Sequence, residues 1–566
     1  MRRLAAPVGT ATIAVAGPVG LFSIEQPFRG GGVTLLGIDP QSYPEGDEEM
    51  SATMPALVRR AFLKKVGAVA LAVTAGGGLL TACGKPEAAG PAAVAAAKPV
   101  ESLKIAVTDP TTSAGLDPRS IGNGLSTMVM YHLYDSLMVL NGDKYTNVLA
   151  DSVQPNQDGT LWTITLRKGV KFHDGRPVTA NDVAYSLRTV GTAPSSRASV
   201  YADVDLAGIK AVDEQTVTVP LKRPRGDFRE GVLVTYSPVF PDGTTDFSKG
   251  IGSGPYKLAG VDGQNVKLVA NEDYWGSKPQ VKNLELIKIA DAATRLNAVK
   301  SGQVDYAVGI SPVGAAAEKA NSAITITKGG VAGASALSFS MNQTIAPFDN
   351  PNVRKAVRLA VDRKQLTDTA LLGSGTVGND VVGLGLPGYA TDLPTRGRDV
   401  AEAKKLFQEA GVTELTLRTG DIVPGMLEAS KLFQQQLADA GVTLKLQTVP
   451  ADSYYADMPN LTKNPFQAFY YANRPAALHL AATTTQVAFF NVTGAGPDHW
   501  KKLADAQLIV DDNQRANAFT QIERDFYDNG GDVVWGFQEQ MDASRLKLSG
   551  VTRIGGLPVF TTATAA

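Results

Sequence analysis

The sequence predicts a mixed α/β protein built as two lobes of different character. Before about residue 340, apolar and polar residues alternate in many short segments, a pattern typical of strands. After that point, apolar residues recur mainly with helical spacing, which indicates amphipathic helices. With 566 residues, 44% of them hydrophobic, the chain is long enough to bury the cores of two large lobes.

The N-terminal region has the features of an export signal. Arg59 and Arg60 open the segment 59–64, which resembles the twin-arginine pattern of proteins exported already folded. The uncharged stretch 66–80 that follows is shorter than the roughly 20 apolar residues that a bilayer-spanning helix needs. Residues 80–83 then resemble the lipobox of bacterial lipoproteins, in which the cysteine becomes the lipidated N-terminus. We therefore expect lipidation of Cys83, and the alternative is an ordinary buried cysteine.

Two N-terminal segments are predicted from these features. Residues 1–82 would be an extension plus the export signal, with Met1, Met50 and Met54 all open as the translation start. Residues 83–100 are rich in Ala, Pro and Gly and predict a flexible tether. The lipid would then anchor the protein on the outer face of the cytoplasmic membrane.

Composition excludes several classes of function. The net charge of −1 argues against a nucleic-acid-binding protein, because gripping phosphates requires a surplus of cations. A single cysteine excludes an internal disulfide and a zinc site built on thiolates. No cofactor and no metal site is expected, since the four histidines are scattered along the chain: His132, His173, His479 and His499.

Periodicity places the elements of the globular part. Alternating apolar residues predict strands in the first half, namely Leu103–Val107, Trp162–Leu166, Val217–Leu221, Val266–Leu268 and Leu284–Ile289. Apolar residues at i, i+3, i+4 and i+7 predict helices in the second half, namely Val353–Val361, Val400–Ala410, Leu432–Leu437, Trp500–Leu508 and Phe519–Phe526. Gly411 and Gly441 end two of these helices.

Motifs of catalysis are weak in this chain. Segments 373–378 and 383–388 match GxGxxG, but a dinucleotide site needs that turn between a strand and a helix. The first match follows a predicted helix and the second has no helix behind it, so both are predicted loops. His173 and Asp174 form a conceivable acid–base pair, although Asp174 and Gly175 together indicate a turn.

Four segments match, in the right order, the motifs of one known family. Residues 161–187 carry its signature, and residues 251–275 carry a GTGPY…N..YW-like element. Residues 339–363 resemble its FN…PF…VR.A…A.DR element, and residues 401–411 resemble its helix ending in EAG. On these residues the chain resembles the family 5 extracellular solute-binding proteins, the peptide- and nickel-binding receptors of ABC importers.

The resemblance implies a type II periplasmic-binding-protein-like fold with a hinge and a ligand cleft between the lobes. The first lobe would be residues 101–337 together with 533–566, and the second lobe residues 338–532. The strand Ala336–Met341 and the segment Val533–Phe537 would be the crossovers. The implied function is capture of an oligopeptide or similar solute and its delivery to the permease, with lobe closure burying the solute. The implied partners are the permease, its ATPase subunits and the membrane, and a monomer is expected.

One departure from the peptide-binding pattern bears on the ligand. In the members that bind short peptides, an aspartate near segment 470–475 holds the α-amino group, but here no Asp or Glu lies between Asp457 and Asp498. Arg474 would favour a carboxylate or another anion. A nickel chelate, an opine, a glutathione-like solute or a sugar-derived anion therefore stays open beside a peptide. The resemblance places the following residues at the cleft: Thr111, Ser113, Gly115, Tyr470, Tyr471, Asn473 and Arg474.

The residues around Arg474 also have a plainer interpretation, in which Tyr470 and Tyr471 are half-buried strand residues and Arg474 is solvated. Other classes of function have less support. A secreted hydrolase lacks a recognisable nucleophile–base pair in this sequence, and a structural surface lipoprotein has no feature of its own. The protein is therefore expected to be a receptor and not an enzyme.

Overall fold

The computed structural model describes residues 10–17, 20–27, 98–109, 115–120, 124–451, 453–455, 461–486, 488 and 490–565. The predictions on Arg59, Arg60, Cys83, Thr111 and Ser113 lie outside these residues. Within them, no helix is both long and apolar enough to cross a membrane. Residues 96–566 form one compact unit, and the elements that position the candidate site belong to it.

Helices alternate with strands along the chain. The α-helices are α1 Leu125–Leu133, α2 Ala180–Val190, α3 Ala292–Lys300, α4 Pro312–Ala317, α5 Pro351–Ala360, α6 Arg363–Ala370, α7 Val400–Glu409, α8 Met426–Asp439, α9 Ala476–Thr483, α10 Pro497–Leu508 and α11 Asp512–Asn529. Short 3-10 helices cover Ala198–Tyr201, Leu206–Gly208 and Val331–Gly333, and a π-helix covers Arg229–Val234.

The strands fall into large and small sheets. They are β1 Thr10–Gly17, β2 Gly20–Pro27, β3 Val100–Val107, β4 Met138–Asn141, β5 Lys144–Asn147, β6 Ala150–Pro155, β7 Leu161–Leu166, β8 Lys210–Ala211, β9 Thr216–Pro220, β10 Tyr256–Asp262, β11 Asn265–Ala270, β12 Val281–Lys288 and β13 Tyr306–Ile310. The others are β14 Thr325–Lys328, β15 Ser335–Met341, β16 Thr376–Val377, β17 Glu414–Thr419, β18 Thr443–Thr448, β19 Phe466–Ala472, β20 Asp532–Gln538, β21 Met541–Ser544, β22 Leu548–Ser549, β23 Thr552–Ile554, β24 Leu557–Val559 and β25 Thr564–Ala565.

A seven-stranded sheet forms the centre of the first lobe. Its order is β10-β11-β12-β3-β13-β21-β14. Strand β3 runs parallel to β12, in a register that pairs Leu103 with Leu284 and Ile105 with Leu286. These side chains are buried, as the alternation in the sequence predicts. Strand β21, from the C-terminal end of the chain, lies antiparallel between β13 and β14.

A six-stranded sheet forms the centre of the second lobe, in the order β16-β20-β15-β19-β17-β18. Strand β15 is antiparallel to both of its neighbours, β19 and β20. Its inward side chain Phe339 stacks on Phe433 of α8, with ring centroids 4.5 Å apart, and on Trp535 of β20. Helices α5, α7 and α8 cover this sheet through the apolar stripes predicted from the sequence.

Sheet membership indicates where the chain passes between the lobes. Strand β14 belongs to the first-lobe sheet and ends at Lys328. The next strand, β15, begins at Ser335 and belongs to the second-lobe sheet. The return lies between the end of β20 at Gln538 and the start of β21 at Met541. Both strands that the sequence proposed as crossovers are paired inside the second-lobe sheet. We therefore propose residues 329–334 and 539–540 as the crossing segments.

Local sequence explains why these helices begin where they do. Asn350 accepts a hydrogen bond from the Asn352 amide and Pro351 occupies the first turn of α5, where a missing N–H costs nothing. Thr179 and Asp182 form a reciprocal capping box at the start of α2. Smaller sheets complete the first lobe, in the orders β6-β7-β9-β8, β24-β23-β4-β5 and β22-β25, and β1 pairs with β2.

Candidate functional site

The two tyrosines predicted at the cleft lie on opposite faces of β19. Successive side chains of a strand point to opposite sides, so only one of the pair can face a given surface. Tyr470 is half-buried and packs edge-on against Tyr455, with ring centroids 6.4 Å apart. Tyr471 is 1% exposed and points to the other face. Alternation along the strand therefore separates Tyr470 from Tyr471, although the resemblance placed both at the cleft.

Tyr471 belongs to a buried hydrogen-bonded network centred on a carboxylate. Its hydroxyl lies 3.2 Å from Oδ1 of Asp532. The hydroxyls of Ser338 and Ser340 donate to the same oxygen at 2.8 and 2.6 Å. Burial raises the pKa of Asp532 to about 6, and the hydroxyl hydrogen bonds act in the opposite direction. This network joins β15, β19 and β20.

The side chain of Asn473 is fully used by backbone groups. Its amide oxygen accepts from the Gly383 N–H at 2.8 Å, and its amide nitrogen donates to the carbonyls of Val331 and Leu384 at 2.6 and 3.0 Å. Val331 lies in the first of the two proposed crossing segments. Asn473 therefore ties that segment to the loop at residues 383–384, and its predicted contact with a solute stays a prediction.

Arg474 is the strongest electrostatic feature of the second-lobe segment. Burial lowers the pKa of its guanidinium to about 10, and the positive charge of Arg197 acts in the same direction. Arg197 belongs to the first lobe and caps the 3-10 helix Ala198–Tyr201. Arginines from the two lobes therefore lie within electrostatic reach of each other. Since like charges repel strongly where water is excluded, this arrangement favours an anion.

The first-lobe surroundings of Arg197 are aromatic. The guanidinium carbon lies 5.5 Å from the ring centroid of Tyr236, a cation–π distance. The Tyr236 hydroxyl donates to the carbonyl of Pro118. Burial raises the pKa of Tyr131 to about 12, and the charge of Arg197 opposes that shift. The buried Nε of Arg197 has no hydrogen-bond partner among the described residues.

Gly115 lies in a first-lobe pocket of about 340 Å³ together with Asp117, Arg119 and Phe247. Its φ of 71° is in the left-handed region, and a Cβ would lie 2.4 Å from the Cα of Ser126. Only glycine fits at this position. Its predicted contact with the solute remains a prediction.

A second buried group lies behind Tyr471. His479 of α9 packs edge-on against the Tyr471 ring at 4.8 Å, and it lines a small cavity together with Glu523 of α11 and Asp532. Glu523 accepts from the Ala390 amide at 2.5 Å. Burial raises the pKa of Glu523 to about 8 and lowers that of His479 to about 3. At neutral pH, Glu523 is therefore protonated and His479 is neutral.

The weaker motifs have structural roles. The Gly252 amide donates to Nδ1 of His173 at 3.2 Å, and Nε2 of His173 contacts the Gly254 carbonyl at 3.0 Å. His173 thus fixes the chain at residues 252–254. The GxGxxG match at 373–378 contains the short edge strand β16, and the match at 383–388 is a turn. No group of three metal-ligating side chains occurs among the described residues.

Sequence reasoning missed Arg197 and Asp532. Arg197 follows a Ser-rich turn with no periodic pattern, so nothing local marks it as a site residue. Asp532 begins β20 and is far in sequence from the tyrosine it contacts. The roles of Arg197 and Asp532 depend on contacts between distant parts of the chain. A single sequence does not show which distant residues are in contact.

The sequence profile described as "Bacterial extracellular solute-binding proteins, family 5 Middle" matches residues 144–480, more than half of the chain. The chain belongs to family 5 of the bacterial extracellular solute-binding proteins. The resemblance inferred from the four motif segments is thus confirmed. Family 5 proteins are transport proteins that bind solutes outside the cytoplasm, and the predicted role as a substrate-binding protein agrees with this.

Two relatives of this family 5 protein are named for glutathione. The chain is 30% identical over 362 residues to the glutathione-binding protein GsiB of Salmonella choleraesuis strain SC-B67, a match that covers 61% of this chain and 69% of the relative. It is 29% identical over 388 residues to the GsiB of Pectobacterium atrosepticum, covering 66% of this chain and 74% of the relative.

Solved structures confirm the predicted fold class. The ABC transporter substrate-binding protein CtaP of Listeria monocytogenes superposes with a TM-score of 0.69 at 22% identity, covering 80% of this chain and 96% of CtaP. NikA of Brucella suis, in complex with Fe(III)-EDTA, gives a TM-score of 0.70 at 20% identity, covering 82% of this chain and all of NikA. At such identities the likeness establishes the two-lobed fold of this family 5 protein.

Proposed function

We propose that the protein is the receptor of an ABC importer, that it captures a small carboxylate-bearing solute outside the membrane, and that it delivers this solute to the permease and its ATPase subunits. The observation that supports this most directly is that the positive charge of Arg197 in the first lobe lowers the pKa of the buried Arg474 in the second. Two guanidinium groups in a partly dry cleft repel, and an anion between them turns repulsion into attraction on both sides. The negative charge of the solute would then stabilise the conformation in which the two lobes are closed around it.

The acid-free stretch around Arg474 supports the same chemistry. Between Asp457 and Asp498 the sequence offers no carboxylate to hold the α-amino group of a peptide. Arginine matches the geometry of a carboxylate, with two parallel hydrogen bonds. Glutathione carries two carboxylates, and relatives of this chain are named for it. Nickel chelates, opines and sugar-derived acids share the anionic group, and an oligopeptide is the alternative solute.

The remaining predicted contacts form the rest of the proposal. Tyr470, which is itself half-buried near the end of β19, would pack on the apolar part of the solute. Tyr471 and Asn473 are held by other side chains and by the backbone, so we propose that they support the site from behind. Gly115, with Thr111 and Ser113, would contribute the first-lobe loop after β3.

We propose that the receptor acts as a monomer held by lipid on Cys83. The twin-arginine pattern and the tether at 83–100 support export followed by anchoring. A secreted hydrolase remains the competing class. It would convert its solute, whereas a receptor releases the solute unchanged.

The anchor makes a testable prediction. We expect Cys83→Ser to yield protein that is released from the membrane or keeps its signal, because serine cannot form the thioether. Membrane fractionation, with mass spectrometry of the N-terminus, measures this outcome. A fully processed Ser variant that stays with the membrane would contradict the lipobox interpretation.

The proposed solute chemistry is tested by titration calorimetry with purified receptor. Glutathione is compared with glutathione in which both carboxylates are amidated, and each solution is analysed afterwards for turnover. We expect glutathione with free carboxylates to bind with measurable heat. The amidated form should bind at least tenfold more weakly, a difference of about 1.4 kcal/mol. Neither solution should contain a reaction product. Equal binding of both forms would overturn the carboxylate proposal and favour recognition of a peptide backbone. Product formation would favour the hydrolase.

A further inference from the structure

A cluster of charged side chains joins the lobes at a place distant in sequence from both crossing segments. Four arginines and four carboxylates alternate in it, so their formal charges cancel. We call it the interlobe cluster, and it comprises Asp203, Arg223, Arg225, Asp227, Arg229 and Glu230 of the first lobe with Gln507, Asp512 and Arg515 of the second.

Ion pairs and a backbone hydrogen bond cross from one lobe to the other. Nη2 of Arg515 lies 2.6 Å from Oε1 of Glu230, and Arg229 pairs with Asp512. The amide of Gly226 donates to the main-chain carbonyl of Gln507 at 2.7 Å. The Gln507 side chain adds longer contacts, accepting from Arg223 at 3.3 Å and donating to Asp227 at 3.4 Å. The second-lobe partners all come from the end of α10 and the start of α11.

The backbones of the two lobes are in direct contact at this cluster. A Cβ added to Gly226 would lie 1.8 Å from the carbonyl oxygen of Ile509, so a residue with any side chain would force the lobes apart. On the same surface, a Cβ added to Gly159 would lie 3.1 Å from Cγ2 of Val510. Glycines therefore permit the close approach that brings the charged groups within reach.

Each half of the cluster is organised within its own lobe. Arg225 pairs with Asp227 at 2.8 Å and with Asp203 at 3.0 Å in the first lobe. Arg515 pairs with Asp512 at 2.7 Å and donates to the carbonyls of Ile509 and Val510. Because each half is held by pairs within its own lobe, forming the crossing pairs costs little side-chain freedom.

We propose that the interlobe cluster is a latch that holds the lobes closed and sets how fast they part. The Arg515 side chain is 3% exposed and that of Glu230 is 14% exposed, so their pairing is shielded from salt more than a surface pair is. When the lobes separate, Arg515 and Glu230 are hydrated again. Separation therefore costs less free energy than separation of an apolar contact of the same size would. This role needs no particular solute and goes beyond the proposed function.

The latch is tested on the full exported chain without ligand. In Glu230→Gln, the charge opposite Arg515 is removed with little change of shape. We expect amide hydrogen exchange at Gly226 to become about tenfold faster, a loss of about 1.4 kcal/mol of closure. Small-angle X-ray scattering should show a larger radius of gyration.

A matched control is Glu318→Gln, which removes an equally buried carboxylate from its pair with Lys300 inside the first lobe and should leave both readouts unchanged. Arg229→Gln breaks the other crossing pair and replaces the first variant if that one fails to fold. If neither interlobe variant changes exchange or the radius of gyration, the cluster is a fixed pivot and the latch is refuted. Equal effects in the Glu318→Gln control would refute it too.

Discussion

Arg474→Ala is expected to weaken binding of a carboxylate-bearing solute by about 2–5 kcal/mol, the usual cost of removing one partner of a desolvated charged hydrogen bond. At about 1.4 kcal/mol per decade, this is roughly 30-fold to several-thousand-fold in Kd. The expectation follows from burial of the guanidinium and from its position within reach of the Arg197 charge. Titration calorimetry with glutathione, or with the solute that co-purifies, measures the change.

The stability of the unliganded protein separates a binding role from a structural one. Burying the Arg474 charge beside a like charge costs free energy, so its removal should not lower the melting temperature of the empty receptor. Arg524→Ala is the matched control, because Arg524 pairs with Asp392 on the exposed side of the second lobe. A loss of affinity below threefold for Arg474→Ala would contradict the anion proposal and favour the oligopeptide alternative.

Glu523→Gln is expected to abolish a fall in stability between about pH 6.5 and 8. The folded-state pKa of Glu523 is about 8, raised by burial from its ordinary value of 4.5. Between those two values the unfolded chain has lost this proton while the folded chain keeps it, so the free energy of unfolding decreases as pH rises. The slope is about 1.4 kcal/mol per pH unit, or roughly 2 kcal/mol across the chosen window.

The comparison of variant with wild type isolates Glu523 from the neighbouring titrations. In the folded protein the pKa of His479 is lowered from 6.5 to about 3 and that of Asp532 is raised to about 6. Both groups are present in the wild type and in Glu523→Gln, so their contributions cancel in the difference between the two slopes. Urea unfolding at several pH values measures the slope. Asp135→Asn is a suitable control, because the pKa of this buried first-lobe acid is about 6 and only the slope below that pH should change. An unaltered slope in Glu523→Gln would show that the carboxyl is ionised in the folded protein.

Local periodicity predicted much of this fold, because the strands and helices bury one face each. The alternation at Leu103–Val107 and the helical stripe at Val353–Val361 were sufficient to place β3 and α5. Periodicity says nothing about which strands pair across the chain. The insertion of β21 between β13 and β14, and the membership of β15 and β20 in one sheet, had no signal in composition or spacing.

The candidate site was predictable only in part, for the same physical reason. Arg474 stands out because the stretch around it lacks acids, which is a local property of the sequence. Its counterpart Arg197 becomes relevant only when the lobes meet. Tyr471 is adjacent to Tyr470 in sequence, yet alternation along the strand assigns it to the buried carboxylate of Asp532.

The position of β21 has a consequence for the order in which this chain is assembled. Residues 541–544 supply an interior strand of the first-lobe sheet, with β13 on one side and β14 on the other. Until they leave the ribosome, β14 has no partner in that sheet and the edge of β13 is open. The second-lobe sheet also waits for a late strand, since β20 at Asp532–Gln538 lies between β15 and β16. Both large sheets of this receptor therefore become complete only when the end of the chain is made, unlike domains that fold one after another as they emerge.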